Sequence, residues 1–402
     1  MDQVERRELI LVFKTLASLR FTKGNWFQNR YLEESVMSDG IGFPGNCQTT
    51  AMGIMPHRDI GRALELSLSL DIPYWPQLPN ISYYEDMYVQ ASQHFPGVVV
   101  DVENQKLWFD SDRFNRELGD FSERMARPET FTLSEDYSCV YHRFLARDLS
   151  KYPAIRGQLI GPVSFGFKVV DENKRPIIYN EPVRALLLDF IQRKVNAQQR
   201  ELKEKNPNAF VWLDEPGLGW VFSGLSGYDD LQAKREYRDF WGGLTGPGAL
   251  HLCANINLPY LLGLGVRIIS FDAYQIDVMP RGYAAAVARF VLDGGIISWG
   301  IVPTDSATLR LETPDKLAER LCGYWQVVAD NSEVTVKDIA ARALLAPARC
   351  CLKNIGEVGA ADEKVSAKNQ EACHRSLEEE VVERAFDDLK TLSRLLRQRF
   401  GR

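Results

Sequence analysis

His251 and Cys253 stand two residues apart in the stretch "ALHLCAN", and a second thiol pair, Cys350 and Cys351, follows in "ARCCLKNIG". Imidazole nitrogen and thiolate sulfur are donors that suit zinc, which takes about four ligands in a tetrahedron. Residues i and i+2 of an extended strand share one side, so His251 and Cys253 can face a single ion. Cys350, at the end of another apolar run, supplies a second thiolate, and Asp272 in "IISFD" is the candidate that completes the set. The competing readings are plain: free cysteine is often buried and inert, and Asp272 could instead cap a helix or hold a histidine in place. Carboxylates form a second group. Asp214 and Glu215 close the run "FVWLDEPGL", and His57 follows Pro56 after "TAMGIM". At a strand's carboxyl end such carboxylates suit a cationic substrate group, or they pair with arginines that brace the fold; His57 could orient a substrate or cap the next helix. Asp214 and His57 are the candidate catalytic residues, and Asp214 and Glu215 the candidate substrate-binding ones.

These residues share a position: each lies where a β-rich run ends and a helical stretch begins. Eight such runs follow one another from residue 48. They are "QTTAMGIMP", "DIPYWPQLP", "RGQLIGPVSFG", "AFVWLDEPGL", "GALHLCANI", "VRIISFDAY", "GGIISWGIVPT" and "ARALLAPARCC". Amphipathic stretches separate them, with helix starts at Asp59, Glu181 and Thr313-Pro314-Asp315. Eight alternations predict an α/β fold, a (β/α)8 TIM barrel, which places chemistry at the carboxyl ends of its strands. Residues 1–46 form an N-terminal extension with a short helix at 3–19, and Met37 is a candidate translation start within it. The barrel spans 47–402. It carries an insertion at about 80–150 that contains a hairpin over 97–110, and it ends in a helix at 376–402. The stretch 356–372 reads as a loop.

Composition narrows the function. The chain has 402 residues, 45% of them hydrophobic, 25% charged, with a net charge of −6. Lysine and arginine are interspersed with acids, which speaks against nucleic acid as a partner. No run of about 18 apolar residues exists, so no membrane span is expected. Seven cysteines scattered along the chain do not form a disulfide framework and fit a reducing, cytoplasmic setting.

The motifs "FVWLDEPGL", "LHLCAN", "RIISFDAY" and "ARCCLKNIG", in that order, resemble the C-terminal catalytic barrel of cobalamin-independent methionine synthase. "QLIGPVSFG" and "TAMGIMPHRD" are similar to two further strands of that family. The likeness covers roughly residues 48–356 and extends to the superfamily of uroporphyrinogen decarboxylases and methylcobamide methyltransferases. It implies Zn2+ as cofactor on His251, Cys253 and Cys350, with Asp272 where the family has a glutamate as fourth ligand. It implies that Asp214 binds a substrate amino group, and that the chain transfers a methyl group to a small thiol, homocysteine first among them. The sequence departs from the family at Ile54, where a serine is usual, at Cys351, where glycine is usual, and in "PNISYYEDMYV", which lacks an amine-binding glutamate. The folate-stacking stretch is not recognisable, so a methyl-corrinoid or corrinoid protein is the expected donor. The alternatives are a non-catalytic, corrinoid-binding barrel and a metal-free decarboxylase of the same superfamily.

Overall fold

Parallel pairing organises the chain. The computed structural model describes residues 41–222, 226–253, 256–350 and 376–401. The expected helix at 3–19, Met37, Cys351 and the loop at 356–372 lie outside these residues. The strands are β1 (Gln48–Thr49), β2 (Val98–Asp101), β3 (Lys106–Phe109), β4 (Arg156–Ile160) and β5 (Phe210–Asp214), then β6 (Ala249–Leu252), β7 (Ile268–Asp272), β8 (Ile296–Val302) and β9 (Ala343–Pro347). Strands β2 and β3 pair antiparallel as the hairpin expected over 97–110. The other seven form one curled sheet in the order β1-β9-β8-β7-β6-β5-β4, parallel throughout.

The remaining stave is the run "DIPYWPQLP". Ile72 donates its N–H to the Thr49 carbonyl (2.9 Å) and Gln77 to that of Gly53 (2.7 Å), while Arg156 donates to the Pro73 carbonyl (2.9 Å). Bridges Ile54–Gln77 and Tyr74–Arg156 therefore join this segment to both edges of the sheet, β1 and β4. Pro73 and Pro76 have no N–H, so the ladder is interrupted and the segment bridges without becoming a regular strand. Eight parallel staves alternating with helices make an α/β, TIM-type barrel, the class expected from the sequence.

Helix ends follow local chemistry. Asp59 caps Ile60–Leu68 through Arg62 N–H, and Thr313 caps Pro314–Asp330 through Lys316 N–H. The helix Leu377–Phe400 opens with a Ser376/Glu379 capping box, has Glu378, Glu379 and Glu380 in its first turn and Arg397 and Arg399 in its last. Both ends thus oppose the helix dipole favourably. This helix covers the seam between β1 and β9: Ser393 Oγ donates to the Cys47 carbonyl (2.7 Å), and Arg397 pairs with Asp71 (2.5 Å).

Alternation along the staves sets up the site. Phe210, Trp212, Ala249, Ile268, Ile296 and Leu344 belong to one buried apolar cluster, which fills the barrel floor with Phe43, Ile72 and Ala154. Two residues further on, the same inner face carries Asp214, His251, Ser270 and Ser298, which are neighbours in register across β5, β6, β7 and β8. An apolar floor thus supports a polar layer beneath the carboxyl ends.

One buried charge outside the barrel yields a stability prediction. Lys194 sits in the helix Glu181–Lys203, 3% exposed, with its amine 5.4 Å over the Phe190 ring and donating to the Gln93 carbonyl at 3.3 Å. Burial pushes its pKa down to about 7 from 10.5, with Glu201 opposing. Between those values the unfolded chain holds a proton that the native state does not, so this group makes stability rise with pH across that window. Its cost is fully present below pH 7. Lys194→Met is expected to gain about 1 kcal/mol near neutral pH, a gain that shrinks toward pH 10. Denaturant unfolding at pH 7 and pH 10 reads the difference, and an equal effect at both would refute the titration.

Candidate functional site at the barrel mouth

At the end of β5, Asp214 is 6% exposed, and its Oδ2 has no hydrogen-bond partner among the described residues. Burial raises its pKa to about 7; Arg156 opposes the shift and Glu215 adds to it. Its register neighbour His251 is 2% exposed and stacks on Trp212 with 5.6 Å between centroids. His251 Nδ1 and Ser270 Oγ share a hydrogen bond of 3.0 Å, while Nε2 is buried without a partner among the described residues. With the proton on Nδ1, Nε2 is a lone pair facing no donor. Burial, and then Arg156, push the imidazole pKa down to about 3, so the ring is neutral at physiological pH.

Cys253 follows β6 directly. Burial raises its thiol to about 12, with Cys350, Asp214 and Asp272 adding and Arg349 opposing. Each of these four residues therefore lies within electrostatic reach of Cys253. Asp272 is 2% exposed; its Oδ2 accepts from Arg349 Nε at 2.6 Å and its Oδ1 from Gln275 N–H at 3.2 Å. Among the described residues no three His, Cys, Asp or Glu side chains stand in a group able to hold a metal. The donor set nevertheless fits zinc in kind. It offers one orphaned imidazole nitrogen and two cysteines; burial keeps the Cys253 thiol protonated at neutral pH until a cation stabilises its thiolate.

Glu215 has a different environment. It is fully buried, and its carboxylate accepts from Val163 N–H (3.0 Å), Ser164 N–H (2.7 Å), Ser164 Oγ–H (2.5 Å) and the Tyr237 hydroxyl. Gly161 leaves the space for it, since a Cβ there would run into this carboxylate. Glu215 thus ties the turn after β5 to the first turn of the helix Pro162–Lys168 that follows β4. Glu215→Gln would turn an NH2 group toward a backbone donor, and we expect a loss of about 2–3 kcal/mol. Thermal unfolding measures it; unchanged stability would return Glu215 to a free binding role.

His57 is buried at 1% in the loop after β1, and the next residue, Arg58, donates its N–H to Glu379 of the C-terminal helix at 3.2 Å. The structure gives prominence to groups that the motif reading passed over. Arg156, fully buried on β4, stacks its guanidinium on Trp212 (3.6 Å) and Tyr74 (4.7 Å). It donates to the Ala51 carbonyl, to Gln158 Oε1 (3.0 Å) and to Thr50 Oγ1 (3.3 Å). Tyr88, Ser270, Tyr237 and Arg349 are the others. The alternation of Arg156 with Gln158 ahead of Gly161 is a signal that marks an inward polar face on β4.

No family profile matches the chain, and no curated protein is similar to it. Among solved structures, a methyltransferase from Methanosarcina mazei is similar at 14% identity and a TM-score of 0.48, covering 87% of this chain and 94% of that one. A fold hosts many activities, so function must come from the site. Among the described residues no helix is long and apolar enough to cross a membrane.

Proposed function

We propose that this barrel is a methyltransferase acting on a small thiol, with homocysteine the first candidate. The observation that carries the reading is the pair of buried, unpartnered atoms on register neighbours, His251 Nε2 and Asp214 Oδ2, beside the Cys253 thiol. Two buried polar atoms left without partners cost about 1–3 kcal/mol each, so a ligand that supplies both a cation and a donor is favoured there. His251, Cys253 and Cys350 would hold zinc, with Asp272 the candidate fourth ligand once Arg349 gives up one oxygen. Zinc in that position supplies Lewis acidity that favours ionisation of an incoming thiol at neutral pH.

The chain's own residues then have separate tasks. Ser270 holds the imidazole ring through Nδ1, and with its hydroxyl accepting there the Nε2 lone pair is left for the metal. Asp214 offers Oδ2 to a substrate ammonium, whose charge in turn favours the ionised carboxylate. Arg156 supports Asp214 from inside the barrel, and the Glu215 bonds hold the segments after β4 and β5 in a fixed relation. The acceptor sulfur attacks the methyl carbon in line, and the leaving atom departs with the bonding pair. The test is metal analysis of the purified protein together with transfer of a labelled methyl from methylcobalamin to homocysteine. Zinc at about one per chain with turnover supports the reading, with the one-site expectation resting on the single His-Cys-Cys set. Bound zinc without transfer to any thiol would favour a binding barrel instead, and a metal-free protein would refute the zinc assignment.

A further inference from the structure

A cavity of about 570 Å³ opens beside the mouth, lined by Tyr88, Phe167, Tyr179 and Trp220, with Ser164 and Lys168 among its polar groups. Its size suits a small molecule and not a corrinoid macrocycle. Its walls are unusual in carrying four aromatic rings and one ammonium. Tyr88 connects it to the site: burial raises its phenol pKa first, and Glu215, Asp86, Asp214 and Cys253 then add to the shift. Phe167 and Tyr179 meet edge to face at 6.0 Å, and the Tyr179 hydroxyl donates to the Ser226 carbonyl, which fixes this wall. Trp220, 67% exposed, is the fourth aromatic residue of the lining.

Several aromatic faces around one space recognise a methylated cation, because the ring quadrupoles attract it while the methyl groups shed water at little cost. Pro216 and Gly217, which follow the Asp214–Glu215 pair in the chain, form part of the wall. Lys168 would repel a simple cation, and its charge is offset in part by Asp86. A ligand with a carboxylate at its other end removes the conflict. We propose that this cavity takes a small zwitterion, a methylated ammonium or sulfonium joined to a carboxylate, and that this onium compound is the methyl donor. The donor role rests on the thiol-methylation reading; the binding assignment does not. The electrons balance without a further reactant. The acceptor thiol first loses its proton to solvent, and the thiolate pair then forms the new S–C bond. The methyl's bond to nitrogen or sulfur breaks with its pair, leaving a neutral amine or thioether.

Calorimetric titration of the full chain tests the assignment with glycine betaine and dimethylsulfonioacetate as probes. Two controls separate the forces: 3,3-dimethylbutanoate keeps the shape and loses the cation, and choline keeps the cation and loses the carboxylate. Both onium zwitterions are expected to bind at least about tenfold more tightly than the carbon isostere. Trp220→Ala should remove most of that preference, and Lys168→Ala should abolish the advantage over choline. Equal binding of the isostere, no saturable binding, or indifference to Trp220→Ala would overturn the proposal. A labelled-methyl assay then keeps the two readings apart. Transfer to a thiol from methylcobalamin but from neither onium compound would refute the donor role alone. Tight onium binding with no transfer from any donor would refute the methyltransferase and leave the cavity's ligand class standing.

Discussion

On the proposed zinc-dependent mechanism, replacing Cys253 by serine is expected to weaken zinc binding and to end methyl transfer, while the fold survives. Serine matches the thiol in shape and stands just beyond β6, so the sheet loses no packing and the circular dichroism spectrum should be unchanged. What disappears is a soft anionic donor, and a hydroxyl does not replace it, because it stays protonated and binds zinc poorly. Outer partners of a metal site already cost about 10–100-fold in affinity, and a direct ligand should cost at least that. Ser270→Ala supplies the graded comparison, since it removes only the group that orients His251 through Nδ1. The thiol's elevated pKa adds a pH signature. His251 is already neutral at physiological pH, whereas Cys253, raised to about 12, must release a proton to bind metal. Zinc affinity should therefore fall as pH falls, and the slope should flatten in Cys253→Ser. Metal analysis showing full zinc in the serine variant would end the assignment.

The second large effect is on stability. Arg156→Ala is expected to cost about 3–5 kcal/mol, the range for removing one partner of a buried charge arrangement. The guanidinium is sandwiched on Trp212 and Tyr74, and several oxygens on β1 and β4 depend on its donors. Its removal empties that space, leaves the Ala51 carbonyl unpaired, and strands Asp214 without the cation that opposes its burial. Arg156→Lys keeps the charge but loses the planar stack and most of the donors, so it should recover only part of the loss. Denaturant midpoints with unchanged slopes would read both variants. An alanine variant as stable as the wild type would show that Arg156 neither braces the barrel nor supports Asp214.

Much of the architecture was legible because it is local. Period-two apolar runs, turn residues between them and helix-start residues such as Asp59 and Thr313 act over a few neighbours, and both of these cap helices where the sequence pattern expected a start. The hairpin at 97–110 was legible for the same reason. The run "DIPYWPQLP" shows the limit: its composition marked a stave, but its prolines reduce it to a bridge between β1 and β4.

Residue types alone determined that a histidine, two cysteines and several carboxylates would reach strand ends of an α/β barrel. Their spacing determined that His251 shares a face with Cys253, and Asp214 with Trp212. Only the tertiary structure decided what each group meets there. It gave Glu215 to a set of backbone and hydroxyl donors and Asp272 to Arg349. It put Ser270 on His251, and it left His251 Nε2 and Asp214 Oδ2 unpartnered. It also brought Arg156 under Trp212 and placed Tyr88 in the lining of the aromatic cavity. The physical reason is that alternation along a strand is a property of adjacent residues. Hydrogen-bond partners and desolvation arise instead between staves far apart in the chain, and these exist only once the sheet has closed.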